Sequence, residues 1–151
     1  MSTRNGEALR QRQIRFASER VFQWNDRGPK ERLEKVKTRL QGLPIEVRTY
    51  GLSVALATLL REGRDESKAI AECLAEWLLG ESPVRVLKTE SGGKPEGTKP
   101  LELLRRIVAA DRGTYSAVQT DAMGLCEQLK LLSAAVVAAS KPEKDAKEDA
   151  P

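Results

Sequence analysis

Apolar residues recur at helical spacing along most of the chain. At about 100° per residue, Leu9, Phe16, Ala17, Val21 and Trp24 fall within one arc, which predicts a long amphipathic helix over about residues 5–25. Gly28 and Pro29 interrupt the pattern, and Leu33, Val36 and Leu40 predict a short second helix that stops at Gly42. Pro44 opens a third, apolar almost all round between Leu52 and Leu60, which the pattern makes the central core helix. Gly51 inside that run points to a close crossing that admits no side chain. A fourth helix has Asp65 as its N-cap, Ile70, Cys73, Leu74, Trp77 and Leu78 inward, and Gly80 as its stop. Pro100 starts a fifth with Leu101, Leu104, Ile107 and Val108 inward. The last runs from about Tyr115 to Ala139 on a stripe of Tyr115, Val118, Ala122, Leu125, Leu129, Leu132 and Val136. Between them, about residues 81–99 hold Gly, Pro, Ser and charge without periodicity and read as a long flexible loop, and residues 141–151 read as a disordered charged tail. The fold class predicted is all-α, with residues 1–140 forming a single-domain bundle of five or six helices.

Composition agrees with a single helical domain: 151 residues allow one ordinary core, and Trp, Tyr and Phe occur only twice each. Cys73 and Cys126 have no C-x-x-C spacing and the chain has no His, so both read as small apolar core residues; no metal and no cofactor is expected. No apolar stretch reads as long enough for a membrane span and the start lacks a signal-peptide core, which points to a cytoplasmic protein without membrane partners. Charge changes the picture more. Residues 1–50 hold 12 Lys and Arg against 6 Asp and Glu, and the remainder 14 against 16, so the net +4 arises wholly in the first third. Such a field fits a polyanionic partner.

Candidate chemistry narrows to that field. Without His, a catalytic reading rests on Asp111, Asp121 and Glu127, which no motif draws together. "SGGKPEGTKP" fails as a phosphate loop at Lys88 and Pro95. A helix-turn-helix with its turn at Gly42–Pro44 has a second helix too apolar for a groove, and Trp24 and Trp77 sit on inner stripes rather than as base-stacking platforms. Arg4, Arg12 and Arg15 on the first helix and Arg32, Lys35 and Arg39 on the second remain. Packed as an antiparallel pair, those helices would hold a phosphate backbone without reading sequence. Arg10 and Arg20 lie near the apolar arc, where a guanidinium reaches a partner chain.

The order of several short pieces resembles a known family. Gln11-Arg12, Pro44, Gly51-Leu52 with "ALATL", Trp77-Leu78, and Tyr115, Thr120-Asp121-Ala122 and Leu125 make the chain, over about residues 9–135, similar to the small α-helical subunit of the Cmr complex, the type III-B CRISPR RNA-guided effector. The chain departs from the family pattern in having Tyr50 before Gly51, Asp121 after Thr120 and Lys130-Leu131 late in the last helix.

The resemblance implies a non-catalytic subunit that stacks with neighbouring copies of itself and with other Cmr-type subunits beside guide RNA and target RNA. RNA-binding residues are then expected at Arg12, Arg15, Arg32, Lys35, Arg39 and Lys130, with subunit contacts at Arg10 and Arg20. The competing reading is a helical protein-binding module with no nucleic-acid role, its arginines serving an acidic partner.

Overall fold

The structure, a computed structural model, describes residues 2–29, 31–81 and 99–140. Six helices follow in order: α1 (Ser2–Asp26), α2 (Arg32–Tyr50), α3 (Leu52–Glu62), α4 (Asp65–Glu76), α5 (Lys99–Ala109) and α6 (Arg112–Ala139), with a π-helical turn (Trp77–Glu81) continuing α4. Among the described residues there is no strand, and the chain is an all-α bundle. The segment read as a loop, the phosphate-loop comparison within it and the tail read as disordered lie outside the described residues, as does the side chain of Arg4.

α6 is the organising element. Its Val118, Ala122, Leu125, Cys126 and Leu129 are fully buried, and α1 and α2 pack along it. Tyr115 and Gln119 near its start meet the start of α3, so α2 runs antiparallel to α6. Val21, Val36, Leu40, Leu43, Leu56, Ile70 and Leu103 close the core from the other helices. By length and composition α6 is apolar enough to cross a bilayer, with a mean hydropathy of 1.4 over its most apolar window. The sequence reading found no such stretch. In the bundle its apolar stripe forms the seam with α1 and α2, and 33% of that window is buried.

The boundary between the second and third helices differs from expectation. α2 runs straight through Gly42 and Pro44, and the break falls at Gly51. Leu40, Leu43, Pro44 and Val47 are all buried, so a turn at residues 42–44 would throw that stripe out of register; its burial offsets the cost of about 3 kcal/mol for an interior proline. Gly51 has φ +92°, a conformation that side-chain-bearing residues rarely adopt, and a Cβ there would lie 2.8 Å from Tyr115 Oη. The expected close approach at Gly51 is therefore present, made by a side chain at a break rather than by a helix crossing. Tyr115 Oη accepts from the Ser53 amide at 3.0 Å and Gln119 Oε1 from the Leu52 amide at 2.9 Å. Two otherwise orphaned donors at the start of α3 are satisfied in this way.

Two further expectations shift. α3 buries Leu52, Ala55, Leu56 and Leu59 but leaves Val54 half-exposed, so the centre of the bundle is the α2–α6 seam and not α3. On α5 the inward residues are Pro100, Leu103 and Ile107, whereas Leu101 and Val108 face outward. α5 carries apolar residues on more than one arc, and the one holding Leu103 and Ile107 meets the core; Glu102 lies on that buried side, where Arg106 Nε donates to it at 2.8 Å. Asp65 is the first residue of α4 rather than its cap; Arg64 holds the extended cap conformation.

Candidate nucleic-acid interface

α1 lays one face on α6, which leaves Arg10, Arg12 and Arg15 exposed. Among the described residues, no carboxylate pairs with Arg10 or Arg15. Arg12, Arg15 and Arg20 border one cleft with Phe16, Glu19, Gln23 and the edge of Trp77. Arg20, expected at a subunit contact, pairs with Glu76 of α4 and stacks over Phe16 with its guanidinium carbon 5.1 Å from the ring centre. Phe16 in turn meets Trp77 at 5.2 Å between ring centres.

The second helix treats its arginines differently. Arg32 forms a two-pronged pair with Asp65, Nε to Oδ2 at 2.7 Å and Nη2 to Oδ1 at 2.8 Å. The hydrogen bond from Arg32 holds the Asp65 carboxyl below its ordinary range, and the same bond raises the guanidinium further. Arg39 reaches two acids at once: Glu46 on its own helix and Glu62 on α3, the latter through Nε at 3.0 Å and Nη2 at 3.1 Å. Burial alone would raise the Glu62 carboxyl, but donors from Arg39 and from Ser67 Oγ at 2.6 Å outweigh it, and the net direction is down. Lys35 stays exposed, with only a loose 3.7 Å pair to Glu31, and Lys130 is half-buried on α6. The structure therefore distributes the expected residues. Arg12 and Arg15 share a cleft, Arg32 and Lys35 border another with Asp65, and Lys35 and Arg39 border a third with Arg64 and Glu66.

Beneath the α1 face lies a polar network that sequence reasoning passed over. Asp121 of α6 is buried, and its Oδ1 accepts from Gln13 Nε2 at 2.6 Å and from Trp77 Nε1 at 3.0 Å. Gln13 also donates to the Asp121 carbonyl at 3.2 Å, and its amide packs on Gly124, where a Cβ would come within 3.0 Å. The Trp-Leu and Thr-acid-Ala pieces of the family pattern thus meet in space, 44 residues apart in sequence. The signal was available: Gln13 and Asp121 are polar residues inside otherwise apolar arcs, and buried polar groups come with partners.

The carboxylates of the catalytic alternative do not converge. Asp111 caps α6 by accepting from the Thr114 amide at 2.7 Å, a bond that lowers its carboxyl, whereas Asp121 is ten residues on and buried and Glu127 is exposed. At about 1.5 Å per residue, Asp111 and Asp121 are roughly 15 Å apart along one helix. Cys73 and Cys126 are both buried free thiols, and burial pushes the Cys126 thiol up to about 12 and the Cys73 thiol higher still. Neutral and enclosed, they pack as apolar residues. Among the described residues no cluster of His, Cys, Asp or Glu would hold a metal ion.

A family model described as CRISPR-associated protein (Cas_Cmr5) matches residues 9–136. The chain belongs to the Cas_Cmr5 family. No curated protein matches it in sequence. Membership makes the chain a Cmr-associated small subunit of the type III-B complex, associated with other Cmr subunits. Residues 9–136 run from Leu9 on α1 to Val136 on α6, so the family region holds α2 to α5 whole and most of α1 and α6.

Proposed function

We propose that this Cas_Cmr5 chain is a non-catalytic, cytoplasmic subunit that stacks with further copies and supports guide and target RNA through basic side chains of α1, α2 and α6. The family match over residues 9–136 carries the reading. The electrostatics refine it. Arg12 and Arg15 are exposed on α1, Lys35 is exposed and Lys130 half-buried, whereas the guanidinium groups of Arg32 and Arg39 are engaged by carboxylates of the bundle. Arg12, Arg15, Lys35 and Lys130 are the residues we assign to RNA phosphates; Arg32 and Arg39 hold α2 to α3 and α4. Base pairing with the guide would read the target, so a sequence-neutral phosphate contact suffices here.

The test is single-stranded RNA affinity across a salt series, for the chain alone and within an assembly of the other type III-B subunits and guide RNA. Four phosphate contacts correspond to a slope near about −3 in log affinity against log salt, and all six expected residues would give about −4. Target affinity that rises when the chain joins and falls with salt supports the proposal. A chain that joins without altering RNA affinity leaves a protein-binding module with no nucleic-acid role.

A further inference from the structure

α5 has two apolar faces. Pro100, Leu103 and Ile107 are buried in the bundle, whereas Leu101 is 45% and Val108 67% exposed, with Leu104 half-buried between them. Positions 101, 104, 105 and 108 follow the i, i+3, i+4, i+7 spacing of one helical stripe, so the outward face reads Leu101, Leu104, Arg105, Val108. A soluble edge helix ordinarily turns charge outward, and an apolar stripe in that place is a seat for another helix.

The rim decides what kind. Lys99 and Arg112 at the two ends are exposed, and Arg105 beside the stripe is 60% exposed with only a 3.7 Å contact to Glu102, which Arg106 already holds. Asp111, which caps α6 beside Arg112, keeps its negative charge, and Lys99, Arg105 and Arg112 outweigh it. The seat is therefore apolar in the middle and positive at its edge. Bases of RNA stack best on aromatic rings, and this stripe is aliphatic throughout; three side chains also fall well short of the roughly 800 Å² per partner of a free-standing interface. That size suits one anchor within a larger assembly.

We infer that the outward face of α5 docks an amphipathic helix of another protein subunit, one whose apolar stripe is flanked by Asp or Glu. The inference rests on the chain's place in the Cmr complex but not on its RNA contacts. Leu101 and Val108 lie outside the buried core, so Leu101→Glu with Val108→Glu puts two charges on the seat and leaves the buried residues of α5 in place. Incorporation of this variant into an assembly of the remaining Cmr subunits and guide RNA is expected to weaken at least about tenfold, with helix content and Tm unchanged. Arg105→Glu alone is expected to weaken it about threefold, and less at high salt.

Incorporation equal to wild type in both variants overturns the inference. So does a wild-type chain whose sedimentation shows self-association that the double variant abolishes, which would make a second copy the occupant. Binding of the wild type to phosphatidylserine vesicles, lost in the double variant, would make it a membrane surface instead. Arg12→Glu with Arg15→Glu separates the two readings, since it should lower RNA affinity and leave incorporation intact. A wild-type chain that stays outside the assembly overturns both.

Discussion

On α1 the side chains of Arg10, Arg12 and Arg15 stand out from the bundle, whereas on α2 Arg32 and Arg39 fold back onto Asp65, Glu46 and Glu62. Both helices contribute to the same positive first third of the sequence, yet one presents its charge and the other consumes it internally. The difference follows from their neighbours. α1 packs along α6 and leaves Arg10, Arg12 and Arg15 exposed, while α2 lies against α3 and α4, whose acids come within reach of its flank. Net charge per segment thus measures the field a helix would have alone, not the field it shows after packing.

The sharpest way to break this comparison is Arg39→Ala. Removing a guanidinium that holds two part-buried carboxylates leaves Glu46 and Glu62 facing each other, a loss of about 2 kcal/mol. Thermal unfolding should show Tm lower by roughly 4–8 °C, with RNA affinity in the assembly unchanged. Next in size, Arg12→Glu with Arg15→Glu should do the reverse: RNA affinity down about tenfold, stability within about 0.5 kcal/mol of wild type. Loss of stability from the second variant, or loss of RNA affinity from the first, would erase the distinction between the two helices.

Beneath both regions, Ser133 of α6 is buried with a hydroxyl that has no hydrogen-bond partner among the described residues. Ser133→Ala removes an unpaired polar group and should raise stability by about 1 kcal/mol, measured by urea unfolding. The smallest effect concerns acid. Asp65 and Glu62 have folded-state carboxyls lowered below their unfolded values, so the stability they contribute is present above about pH 4 and is lost as pH falls through the folded values. Between about pH 5 and pH 2 the wild-type Tm should therefore fall more steeply than that of Arg39→Ala, in which the Glu62 part of this dependence is already gone.

Much of the fold was legible in the residues because helix formation and amphipathicity are local. The stripe from Val118 to Leu129 and the burial of Trp24 and Trp77 follow from i, i+3 and i+4 spacing and appear in the structure as read. Gly42-Leu43-Pro44 misled because turn chemistry is a weak preference that burial of Leu40, Leu43 and Val47 overrides, whereas Gly51 turned the chain through a positive φ held by Tyr115 and Gln119 of α6. The outward turn of Leu101 and Val108 was hidden for a related reason: α5 has apolar residues on more than one arc, and periodicity cannot say which arc meets the core.

The sequence by itself determined the all-α class, the members of most buried stripes and the basic bias of the first third, since each depends on residues within a turn or two of one another. Tertiary structure alone decided which arginines stay available. Arg32 and Asp65 are separated by 33 positions, Arg39 and Glu62 by 23, and Gln13 and Asp121 by 108. A charge pair forms where two helices bring its partners within about 4 Å, and the spacing of residues along one helix carries no record of which acid the next will place there.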